Sequence, residues 1–167
     1  YSLSQVSTIM GLTILGGMAF QYPLGRLSDS VSRRYVIACL ALASIMLCFV
    51  LLIFGKSSVY VMALFSFLLG GAIFCLYPIG ISHACDRVQS HQIVSATQTL
   101  LLAYGLGATF GPIIAPLFNW VSKVSGLLIF IVVACISLSI FMLWRKQVEP
   151  SVPDDEKHDF IMAAEMT

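Results

Sequence analysis

The chain has 167 residues, 59% hydrophobic and only 10% charged, with a formal net charge of +1. Its mean hydropathy of +0.94 leaves too little polar surface for a soluble domain. The net charge says nothing about nucleic acid, but the sequence has no basic stripe interleaved with aromatics, so no nucleic-acid partner is expected.

The charged residues fall in short clusters or in the C-terminal tail, leaving five uncharged runs at about 5–24, 35–54, 59–82, 93–118 and 125–144. Each is roughly 20 residues or more, enough to cross a ~30 Å hydrocarbon core at about 1.5 Å per residue. The expected fold is an all-α polytopic transmembrane bundle with the lipid bilayer as its partner. It occupies residues 1–146, followed by a cytoplasmic, disordered acidic tail over 147–167. A β-barrel is excluded because none of the runs alternates with period two.

The first run lacks a basic leader and is interrupted by Thr8, Gly11, Thr13, Gly16, Gly17 and Gln21, so it is no cleavable signal peptide. Next comes "GRLSDSVSRR", read as a tight loop. Gly25 allows a close turn, Asp29 offers an acceptor near a helix end, and Arg33 with Arg34 supplies fixed donors. For the arginines alone, ordinary positive-inside anchoring is the plainer reading. The second run is almost wholly aliphatic, broken by Ser44. The third carries Ser66, Gly70, Gly71, Gly80 and Ser82, with a kink expected at Pro78, and ends in "SHACDR", where His83, Asp86 and Arg87 suggest a loop network. The fourth holds Thr97, Gln98, Thr99, Gly105 and Thr109. Gly107-x-x-x-Gly111 gives it a helix-packing pattern, and Pro112 and Pro116 interrupt it. The fifth is aliphatic except for Ser137 and Ser139.

Small residues let helices approach closely, and polar groups in a membrane need protein or water partners. Runs one, three and four are therefore expected to face a protein interior or aqueous cavity, and runs two and five to face lipid. The five cysteines are scattered without metal-ligand spacing, so no metal site is expected.

Alternating the spans puts Arg26, Arg33, Arg34, Arg87, Arg145, Lys146 and Lys157 on one side, with only Lys56 and Lys123 opposite. This positive-inside bias places the N-terminus outside and the C-terminus in the cytoplasm.

Gly25, Leu27, Ser28, Asp29, Arg33 and Arg34 together resemble the signature loop G-x-L-[SA]-D-[RK]-x-G-R-[RK] of the major facilitator superfamily, with Ser30 and Ser32 departing from it. "ILGGMAFQYPLGRLSD", "LYPIGISHACDRV" and "LLAYGLGATFGPIIAPL" are similar to the eighth, tenth and eleventh helices of bacterial inner-membrane permeases of that superfamily. The short acidic tail favours helices eight to twelve over helices two to six, which share the same topology. The resemblance implies an incomplete half of a twelve-helix fold, whose partner is the missing N-terminal half. The chain, which begins at Tyr1, is expected to be inactive alone.

That family implies secondary active transport of a small solute by alternating access, with no cofactor. Asp29 would latch the cytoplasmic side by meeting a helix end of the other half and a nearby arginine. Gln21, Phe74, Tyr77, Gln98 and Tyr104 are the candidate cavity residues, although each also suits plain helix packing. No run contains a carboxylate, so if protons drive transport, the coupling acid belongs to the missing half. An intramembrane enzyme is set aside, because no run offers a nucleophile–base pair, HExxH or GxSxG. The competing reading is a non-transporting sensor or assembly protein on the same scaffold, which would use the tail.

Overall fold

The computed structural model describes residues 2–55, 57–86, 88–120 and 125–148. Lys56, Arg87, Lys123 and the acidic stretch from residue 149 lie outside the described residues. Among the described residues the chain forms five α-helices: α1 (Leu3–Ser30), α2 (Arg33–Phe54), α3 (Val59–Cys85), α4 (Ile93–Ile114) and α5 (Gly126–Val148). Short 3-10 segments at Ser90–Gln92 and Ala115–Trp120 flank α4. All five helices are long and apolar enough to cross a membrane.

Local chemistry sets several of these boundaries. Ser2 and Gln5 form a capping box at the start of α1, with Ser2 N donating to Gln5 Oε1 at 2.9 Å and Gln5 N to Ser2 Oγ at 3.3 Å. Ser58 caps α3 by accepting from Tyr60 N at 3.3 Å. The charged loop expected over 25–34 is much shorter than its composition suggested. α1 continues through Gly25 to Ser30, and only Val31 and Ser32 connect it to α2. Gly25 therefore makes no turn, and no described glycine has a positive φ. Charges end the hydrocarbon-embedded part of a helix, but Arg26, Leu27, Ser28 and Asp29 include no residue that breaks the helix itself.

α1 and α3 cross at four glycines. A methyl group at Gly16 would collide with the Phe67 carbonyl, and one at Gly70 with the Thr13 carbonyl. At Gly17 and Gly71 it would strike the rings of Phe74 and Phe20. Backbone-to-backbone approach of this kind is how helices associate in lipid, where hydrophobic burial supplies little drive. Phe20 and Phe67 close the crossing edge-to-face, with ring centroids 5.9 Å apart.

α2 is not simply a lipid-facing helix. Val36, Ile37 and Leu40 are buried against Ala72, Cys75 and Ile79 of α3, while Cys48 and Leu51 meet Leu69 of α3 with Leu128 and Ile131 of α5 around them. Its opposite stripe, Leu42, Met46, Phe49 and Ile53, is exposed. The sequence hid this division because both faces are aliphatic; the small residues Ala41, Ser44 and Cys48 mark the packed one. α4 is the converse case, since none of its residues is buried among the described residues.

The hydroxyls expected to seek a cavity mostly bond their own helix. Thr13 Oγ1 donates to Ile9 O at 2.8 Å, Thr97 Oγ1 to Ile93 O at 2.8 Å and Thr109 Oγ1 to Gly105 O at 2.9 Å. Ser44 and Ser139, both buried, do the same to Leu40 O and Cys135 O at 2.8 Å. A hydroxyl satisfied four residues back is compatible with lipid, so Ser and Thr content alone does not locate an aqueous face.

Candidate functional site

Beyond the glycine crossing, the C-terminal halves of α1 and α3 and one side chain of α4 border a hollow of about 550 Å³. α1 contributes Gln21, Gly25, Ser28 and Asp29, whose spacings of about three to four residues place them on one helix face. From α3 come Phe74, Tyr77, Pro78 and Ser82, and from α4 comes Tyr104. A methyl group at Gly25 would meet nothing within 4 Å, so the missing side chain adds directly to the open space. Pro78 lies inside α3 and lacks an N–H, which removes the helical donor to the Phe74 carbonyl beside the hollow. Tyr77 and Tyr104 meet across the gap between α3 and α4, with ring centroids 4.6 Å apart. Among the described residues, the lining carries one carboxylate, Asp29, and no Lys, Arg or His.

At the Asp29 end, Arg33 ties three helices together. Its Nη2 donates to Asp29 Oδ1 of α1 at 2.9 Å, its Nη1 to the Ser82 carbonyl of α3 at 3.0 Å, and Nη1 also to Asp86 Oδ1 at the C-cap of α3. The Arg33 and Asp86 side chains are each 13% exposed, whereas Asp29 is 67% exposed. Arg33–Asp86 is thus the sheltered pair and Arg33–Asp29 the wet one. Arg34, the next residue of α2, is buried. Arg26 turns away from this cluster, donating to Tyr22 OH at 3.3 Å on its own helix.

Of the candidate cavity residues, Gln21, Phe74, Tyr77 and Tyr104 line the hollow and Gln98 does not. Gln98 precedes Tyr104 by six residues, which at about 100° per residue turns it to another face of α4, and it is exposed. Pro78 falls on the hollow, while Pro112 sits near the end of α4, where the chain tightens into the 3-10 segment. Methyl groups at Gly107 or Gly111 would meet nothing within 4 Å, so this pair packs no helix among the described residues. Close packing requires a facing backbone, and a spacing of four supplies only one side of it.

Of the suggested loop network of His83, Asp86 and Arg87, Asp86 pairs with Arg33 of α2. His83 lies in the last turn of α3, and Arg87 is outside the described residues. The signal for Arg33–Asp86 was present in the alternation of spans, which puts the ends of α1 and α3 on the same side as the start of α2. Ser28 and Ser82 were not foreseen in the lining; their spacing from Gln21 and Pro78 would have found them.

A family model described as Major Facilitator Superfamily matches residues 1–162. The chain belongs to the major facilitator superfamily. It is 33% identical over 145 residues to an uncharacterized MFS-type transporter of Enterobacter sp. strain 638, covering 86% of this chain and 36% of that protein. It is 32% identical over 152 residues to the uncharacterized MFS-type transporter YcaD of Salmonella paratyphi B, covering 89% of this chain and 37% of that one. The chain therefore spans little more than a third of the length of the curated relatives it matches. No solved structure matches it. As part of a major facilitator transporter fold, its apolar helices make it a multi-pass membrane protein.

Proposed function

We propose that this chain is most of the C-terminal half, helices eight to twelve, of a secondary active transporter that moves a small solute by alternating access. The observation that carries the reading is the Arg33 cluster, which fastens the ends of α1, α2 and α3 at the mouth of a hollow lined by Gln21, Tyr77 and Tyr104. Three helix ends fastened at one point can rock as a unit, and Asp29 is the exposed acid left to engage a helix end of the missing half. Gly25, Asp29, Arg33 and Arg34 form the gating motif, and Phe74 joins the solute-facing set. The clustered basic residues favour a cytoplasmic side for this mouth and for the C-terminus, in a bacterial inner membrane.

The test is uptake and efflux by the full-length protein in vesicles, with sugars, organic anions and organic cations, with and without a proton gradient. Gradient-dependent movement of one class is the expected result. No movement of any solute by a well-inserted protein would refute the reading.

A further inference from the structure

A second hollow, of about 270 Å³, lies between α3 and α4 and is lined by Leu76, Gly80, Ile81 and Leu100 together with Tyr77 and Tyr104. The same two tyrosines line the larger hollow, so their contact at 4.6 Å is the wall the two spaces share. Neither ring is buried, with Tyr77 40% and Tyr104 54% exposed, and a side-chain rotation parts them without moving either helix.

The two compartments differ in chemistry. The larger offers the Asp29 carboxylate, the Gln21 amide, tyrosine faces and the Phe74 carbonyl, with no basic side chain among its described lining residues. The smaller is hydrocarbon apart from the two tyrosines. We infer that the site takes a cationic amphiphile, its charged head in the Asp29 compartment and its single alkyl chain passing between Tyr77 and Tyr104 into the α3/α4 crevice. Arg33 pairs with Asp29 but also with Asp86, so the three groups together carry one net negative charge. That surplus and the aromatic faces favour a cation, whereas an anionic head would meet no counter-charge among the described lining residues. The chain gains apolar contact only beyond the tyrosine pair, so head and tail are read separately. This inference rests on the larger hollow being the solute site.

The experiment measures binding of radiolabelled decyltrimethylammonium to the full-length protein in lipid nanodiscs, with decyl sulfate and tetramethylammonium as competitors. Saturable binding is expected, with each competitor at least about tenfold weaker than the unlabelled ligand. Gly80→Leu should fill the crevice, because a side chain there meets no neighbour within 4 Å at its first carbon. That variant and Tyr104→Ala should each weaken decyltrimethylammonium by about tenfold while remaining monodisperse. Equal competition by decyl sulfate overturns the head-group assignment. Equal competition by tetramethylammonium, or unchanged affinity in both variants, overturns the tail assignment. Absence of saturable binding overturns both. A protein that moves another solute in vesicles yet fails to bind this one refutes the ligand class alone, whereas binding without gradient-driven movement of any solute refutes transport alone.

Discussion

Arg33 serves three acceptors on two other helices with one planar fork, a geometry that a lysine point charge cannot reproduce. Its two acids should respond differently to substitution. Asp86→Ala leaves a sheltered guanidinium without its carboxylate and should cost about 1–3 kcal/mol of folding stability. Asp29→Asn removes only the 67% exposed partner and should cost less than about 1 kcal/mol. Denaturation of the two variants in matched detergent checks the order. Function should invert that order, since Asp29→Asn is expected to impair transport while inserting normally. Wild-type flux through a well-inserted Asp29→Asn protein would contradict its gating role. At this scale the residues of the motif were legible from spacing alone. Asp29, four positions before Arg33, was legible as a partner too. Asp86 is 53 positions away, so the alternation of spans could put it only on the same side, and the pairing itself is set by the packing of α2 on α3.

Among the helices, the decisive contact is the four-glycine crossing. Gly70→Val would drive a branched side chain into the Thr13 backbone, and overpacking against backbone costs about 1–3 kcal/mol or more. Within this chain by itself, Gly107→Ala faces open space and should be neutral, or stabilise α4 by up to about 1 kcal/mol through helix propensity. Thermal stability of the two variants side by side distinguishes a structural glycine from a permissive one. Composition located the helices well because about twenty uncharged residues can scarcely do anything else in a membrane. It could not rank the glycines. Gly16-Gly17 and Gly107-x-x-x-Gly111 look equally suited to packing, yet among the described residues only the first pair has a facing helix, the Phe67 backbone at Gly16 and the Phe74 ring at Gly17. Nor could composition end α1 correctly, since charge marks the bilayer boundary and not the last helical turn.

Taken whole, the five helices form a bundle whose α2, α3 and α5 share a packed core while α4 has no buried residue among the described ones. The apolar, glycine-rich faces of α1 and α4 are those the missing half is proposed to cover. The split between solute-facing and lipid-facing helices was only half legible in the sequence. α1, α3 and α4 do line the hollow, but α2 combines one lipid face with one packed face. The central claim is that this hollow opens alternately to the two sides of the membrane. Its most direct test places a single cysteine at Gln21 in a cysteine-free version of the full-length protein and measures its labelling by an impermeant thiol reagent from each side. Labelling from both sides is predicted, with Asp29→Asn shifting the balance toward cytoplasmic access as the latch is lost. Labelling from one side only, unchanged by solute and by Asp29→Asn, would contradict alternating access through this cavity.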